Sequence, residues 1–193
     1  MSASLAPFGL RPIYHPSGVV RPRGLYQGIA TGYATDLYQG TPVLMTTNGV
    51  LNVAVNGSDM IGVFDGVEYV DSNGRRQYVK RWTASTAPTG TDWIAYYYED
   101  PAIVYEIQCN GSLAQTSIGD QLNFDATQTA GSGNNTTQLS SCAASSTLAG
   151  AAAQGMLRIL TLSQYVDNAW GDAFTIVQVQ IARHQQVSNK VAF

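Results

Sequence analysis

Charge is what this 193-residue sequence has least of: Asp, Glu, Lys and Arg make up 12% of it, about half the usual share. A surface so poor in charge suits permanent packing against neighbours better than a solitary existence. Histidine is nearly absent. His15 and His184 stand near opposite termini with no nucleophile or metal-ligand partner nearby in sequence, so hydrogen bonding accounts for each better than catalysis does. The two cysteines, Cys109 and Cys142, lie outside any CxxC pair and away from histidine, which implies no metal site, and in a reducing cytosol they are expected to stay thiols. No apolar run approaches the roughly 18 residues of a membrane-spanning helix, and MSASLAPFG lacks the basic-then-apolar order of a secretory signal. GxSxG, HExxH, P-loop and Rossmann glycine patterns are all missing. The carboxylate pairs are weak candidates too: Glu99-Asp100 precedes Pro101 at a turn, while Glu68 and Glu106 sit on strands that nothing ties to a cleft. The expectation is a non-enzyme without metal or cofactor.

The charges that remain are unevenly placed. All thirteen acids lie between Asp36 and Asp172 with only five bases among them, a net of −8, and the other five bases lie outside that span. At a pI near 5.1 the chain lacks the broad basic face that direct nucleic-acid binding needs. Its first 24 residues, MSASLAPFGLRPIYHPSGVVRPRG, form a basic end on this acidic body. Pro7, Pro12, Pro16 and Pro22 rule out a helix or a central strand there. Phe8, Leu10, Ile13, Tyr14, Val19 and Val20 are too apolar for an ordinary disordered tail. The pattern fits an extended arm, able to reach roughly 80 Å. Such an arm either lies on another protein, with Phe8, Leu10, Arg11, Pro12, Tyr14, Arg21 and Arg23 as its contacts, or folds back to complete its own sheet.

Beyond the arm the texture is short strands and turns. Strands are expected at 25–33, 37–46, 50–55, 60–64 continuing through 67–70, 75–82, 93–98, 102–108, 118–124, 156–162 and 173–182, the last with a bulge. Asn48-Gly49, Asn56-Gly57 and Asp71-Ser72-Asn73-Gly74 supply turns. Residues 83–92 and the tract TQTAGSGNNTT (127–137) are expected as loops, and the Ala-rich stretch 143–154 as a loop or one to two helical turns. The class is all-β: an arm at 1–24, a β-rich body at 25–182 made of a small barrel (about 25–82) and a second β unit (about 93–182), and a tail at 183–193.

Tyr96, Tyr97 and Tyr98 must alternate between the two faces of one strand. One face packs in the core and the other is a candidate subunit contact or a stacking platform for sugars. Arg75, Arg76, Lys80 and Arg81 form the only basic patch of the body. That hairpin either meets the acidic face of a second copy or is a solvated edge that blocks strand pairing.

The segment QGTPVLMTTNGVLNVAVNGSDMIGVFDGVEYVDSNGR, Gln39 to Arg75, resembles the small β-barrel of capsid decoration (cement) proteins of tailed bacteriophages, through Gly40, Val43, Asn48-Gly49, the strand Val50 to Val55, and Ile61-Gly62-Val63. The later IGDQLNF, GMLRILTL and AFTIVQVQIARHQ segments are similar in texture to such virion proteins. The resemblance implies a structural protein made in the host cytoplasm and placed on the virion surface. Its partner would be the major capsid protein, and it would assemble as a homotrimer or other homo-oligomer that bridges capsid subunits, with no membrane or nucleic acid involved. A receptor- or carbohydrate-binding fibre module and a head-completion or tail-tube protein are the competing expectations.

Overall fold

Aromatic and β-branched side chains, broken every few residues by glycine or asparagine, yield fourteen strands and a single 3-10 turn at Gln115–Ser117 in the computed structural model, which describes residues 2–84, 92–127, 129, 131–150 and 153–187. Among these there is no α-helix, so the protein is all-β. Every pairing between named strands is antiparallel.

One six-stranded sheet runs, in spatial order, β1 (Arg11–Tyr14), β10 (Val104–Gln108), β14 (Ile176–Ile181), β13 (Leu157–Leu162), β11 (Gln121–Phe124) and β12 (Ala144–Leu148). A second runs β2 (Arg23–Tyr26), β9 (Trp93–Tyr98), β6 (Gly62–Val70), β4 (Pro42–Met45) and β5 (Leu51–Val53), and β7 (Arg76–Val79) also pairs with β6. A small ribbon joins β3 (Leu37–Tyr38) to β8 (Arg81–Trp82). Each large sheet has its own apolar core. Leu10, Tyr105, Ile107, Leu122, Phe124, Leu157, Val177 and Val179 are among those packed on the first. Ile29, Leu37, Val43, Leu51, Phe64, Trp82, Trp93 and Tyr97 pack on the second. Val53 touches both clusters and helps to join them.

Several strands form as their patterns dictate. β9 alternates buried and half-buried along its whole length, with Trp93, Ala95 and Tyr97 turned into the core. β6 passes through Asp65-Gly66 with a shift of register between Phe64 and Gly66, so two expected strands are one bulged strand. The Asp71 carboxylate accepts the N–H groups of Asn73 and Arg75 at 2.9 Å each and closes the β6–β7 hairpin.

The structure refines several of these expectations. Of the two courses open to the first 24 residues, the strands within them follow the folded-back one: β1 pairs with β10 and β2 with β9, at the outer edges of the two sheets. No closed barrel is present among the described residues: β2 and β5 end the second sheet, and Leu51 N–H to the Gly28 carbonyl, at 2.7 Å, is the backbone bond that draws those ends together. β9, from beyond residue 82, lies between β2 and β6 in the second sheet; the chain crosses from the first sheet to the second between β1 and β2 and returns to the first after Tyr98. Finally, the Ala-rich stretch supplies β12 rather than a helical turn. Ser146 N–H bonds the Asn110 side-chain oxygen at 2.8 Å, and Ala144 O accepts Asn110 N–H at 2.8 Å, partners that local propensity does not foresee. The bulge expected near 173–182 falls on the neighbouring strand β13, between Ile159 and Thr161. The loop at 83–92 lies largely outside the described residues, as do the final residues of the tail.

Candidate assembly surface

The N-terminal segment is held at every stage of its course. Ser2 is buried; its hydroxyl donates to Asp172 at 2.7 Å and its carbonyl accepts Phe174 N–H at 2.9 Å. Gln108 clamps the next residues, accepting Ala6 N–H at 2.8 Å and donating to Ser4 O at 2.9 Å. Leu10 is completely buried in the first core. Arg11 lies under the Phe8 ring, 4.6 Å from its centroid, and reaches the Glu106 carboxylate at 2.7 Å; the Tyr165 hydroxyl bonds both. The His15 ring meets Asp100 at 3.1 Å, and Arg23 meets Glu99 at 2.7 Å. Of the three arginines proposed as contacts, two are therefore already engaged within the chain. Arg21 is exposed and has no ion pair among the described residues.

While its backbone is fixed, this segment turns Leu5, Ile13, Tyr14, Val19 and Tyr26 outward, with Tyr14 and Tyr26 more than half exposed. Of the expected contacts, Tyr14 is at this surface, Pro12 and Phe8 are half-buried, and Leu10 belongs to the core. Ile13 and Val19 are legible in the sequence as apolar residues of the arm. Nothing in the sequence says which of them face outward, because that depends on the β1–β10 register.

The tyrosines solve a problem that the scarcity of cations creates. Seven phenol hydroxyls donate to carboxylates: Tyr26 to Asp92, Tyr38 to Asp36, Tyr78 and Tyr98 to Asp65, Tyr96 to Glu68, Tyr97 to Glu99 and Tyr165 to Glu106, at 2.6–3.2 Å. Charge-assisted bonds of this kind are stronger than neutral ones, so acids on a chain with few bases are still satisfied. The three consecutive tyrosines are used this way. Tyr97 lies in the second core, Tyr98 packs against the first, and Tyr96 leans on Tyr78 with ring centroids 6.0 Å apart. Arg76 pairs with Glu68, and Arg81 pairs with Asp36 at 3.0 Å and covers the Tyr38 ring. Arg75, at the tip of the β6–β7 hairpin, is exposed.

Burial, reinforced by Glu99, pushes the Tyr97 hydroxyl from 10.0 up to about 12, and burial together with Asp65 does the same for Tyr98. Burial and Asp65 raise Tyr78 as well. A group whose proton is held more tightly in the folded state stabilises that state below its unfolded pKa and loses the contribution as pH rises through the folded value. Cooperative unfolding is therefore expected between about pH 10 and 12, with phenolate absorbance and loss of tryptophan burial rising together. Titration of Tyr78, Tyr97 and Tyr98 near pH 10 on a folded protein would contradict this account.

Cys109 and Cys142 are buried free thiols in the first core, and burial raises Cys109 to about 12. Among the described residues no group of three His, Cys, Asp or Glu side chains is placed to hold a metal ion, and no helix is long and apolar enough to cross a membrane. No protein-family model, curated protein or solved structure matches the chain.

Proposed function

We propose that this protein is a structural virion component that binds the outer surface of a phage capsid and bridges its subunits, a decoration or cement protein whose partner is the major capsid protein and which acts as a homotrimer or other homo-oligomer. The observation that carries this reading is the N-terminal segment, locked onto both sheets yet presenting Leu5, Ile13, Tyr14, Val19 and Tyr26 outward. A contact surface already ordered in the free chain loses little conformational entropy on binding. Many such modest contacts, repeated by the symmetry of a shell, add up to firm attachment. The second sheet, whose ends approach through Leu51 and Gly28, is in this reading an open form of the small barrel used by decoration proteins.

The test is retention on undecorated capsid shells, scored by sedimentation and by imaging of the particles. Tyr14→Ser combined with Val19→Ser is expected to weaken retention about tenfold or more per site without lowering the melting temperature. Arg21→Ala is expected to reduce the salt dependence of retention slightly, since Arg11 and Arg23 are held at home. Saturable glycan binding without shell retention would favour a fibre module. Rings that plug a portal or stack into a tube would favour a head-completion or tail-tube role.

A further inference from the structure

Between the N-terminal segment and the second sheet lies an open cleft of about 260 Å³, lined in part by Phe8, Pro12, Phe64, Tyr98 and Leu139, with Asp65 in its wall. Asp65 is 9% exposed. Its carboxylate accepts Gln39 Nε2 at 2.8 Å, the Tyr78 hydroxyl at 2.8 Å and the Tyr98 hydroxyl at 3.2 Å. All three donors are neutral, and among the described residues no cation lies within ion-pair distance of it. An ionised carboxylate has about four acceptor positions, so one is left. The nearest candidate cation in the cleft wall, Arg11, is committed to Glu106 and Tyr165. With Arg11 neutralised by Glu106, which lies outside the cleft lining, the Asp65 carboxylate has no countercharge in a pocket with aromatic walls.

The same chain carries a cation with the opposite deficiency. Arg75 is exposed at the tip of the β6–β7 hairpin, and its guanidinium has no ion pair among the described residues. Its backbone is held by Asp71, so the tip is a firm projection. Asp65 and this tip belong to the same hairpin, in which Arg75 stands opposite Asp71, so about six residues of strand separate them, roughly 20 Å at strand rise. That is too far for one chain to satisfy both, and it places donor and acceptor on different surfaces.

We infer that the Arg75 guanidinium of one copy enters the Asp65 cleft of the next. The stem of the side chain lies along Pro12 and Leu139, and its planar head stacks on an aromatic wall while it donates to Asp65. Because tip and cleft are distinct patches, the contact is head-to-tail, and such contacts close into rings when the rotation permits. This deepens the oligomer part of the proposed function and depends on it only in requiring self-association.

The experiment is a double-mutant cycle on the full chain, read by native mass spectrometry and sedimentation equilibrium. Arg75→Ala and Asp65→Asn are each expected to weaken association at least tenfold, and the double variant is expected to be no weaker than the worse single one, since both remove the same contact. Asp65→Asn also disturbs bonds within the chain, so Arg75→Glu, on an exposed turn, is the cleaner probe: it should give monomers with an unchanged melting temperature. A wild type that is monomeric at all concentrations, oligomers indifferent to Arg75→Glu, or additive effects in the cycle would each overturn the inference. Shell retention is measured separately. Self-association through this contact without shell binding would uphold the contact and remove the decoration reading, and shell binding by a chain whose copies ignore Arg75 would remove the contact alone.

Discussion

Replacing Gly62 by alanine is expected to cost the fold about 3–5 kcal/mol, near the upper end of what single substitutions do. A Cβ at this position would stand 1.7 Å from the carbonyl oxygen of Tyr98 and 2.7 Å from its carbonyl carbon. These are backbone atoms of β9, and β6 is flanked by β9 and β4, so neither strand has room to move aside. The comparison is Gly49→Ala. Gly49 has a φ of +75° in a turn with nothing within 4 Å of an added Cβ, so only the conformational cost of roughly 1–2 kcal/mol applies. Urea unfolding followed by tryptophan fluorescence separates the two, because both cores hold or adjoin tryptophan. Equal losses would mean that β6 and β9 can slide apart, and the close crossing would lose its structural role.

Leu10→Ala is expected to be nearly as severe, at about 2–5 kcal/mol. Leu10 is fully buried in the first core, and its N–H bonds the Gly40 carbonyl at 2.9 Å. Deleting residues 2–26 goes further, baring the edges of β10 and β9 at once. Such a truncation is expected to aggregate or unfold instead of leaving an intact body. By contrast, Tyr14→Ser on the outer surface of β1 should stay within about 0.5 kcal/mol. A well-folded, stable truncation in size-exclusion chromatography and circular dichroism would return the segment to the status of a detachable arm.

What was legible in the sequence follows from where the information resides. Trp93–Tyr98 and Leu157–Leu162 announce themselves by composition and alternation, and the Asp71–Gly74 turn by its residues; these are local properties. Which sheet a strand joins is not local. Glu99-Asp100-Pro101 looks like a hairpin turn but carries the chain from one sheet to the other. β12 was hidden because Ala-Ser-Ser-Thr-Leu has little strand propensity of its own and is held by β11 and Asn110. The candidate surface was legible only in part. The apolar residues of the first 24 positions stand out, but the burial of Leu10 and the exposure of Tyr14 are set by pairing with a strand some ninety residues away. Asp65 is not legible for the same reason, since its three donors come from positions 39, 78 and 98.

The course of the N-terminal segment also sets an order of events during synthesis. Ser2 bonds Asp172, 170 residues later, and Arg11 bonds Glu106, 95 residues later. The N-terminal segment is therefore made well ahead of the strands it docks on, β9 and β10, and Ser2 has no partner until Asp172 has followed. Folding cannot proceed from the N-terminus onward, and loops of this length must close before either sheet gains its outermost strand. At a translation rate of about 5–20 residues per second, Arg11 waits roughly five to twenty seconds for Glu106, and Ser2 roughly ten to thirty for Asp172. Throughout the first of these intervals the segment's apolar side chains are all exposed, Leu10 among them, so the nascent chain is most vulnerable at the end that later seals it.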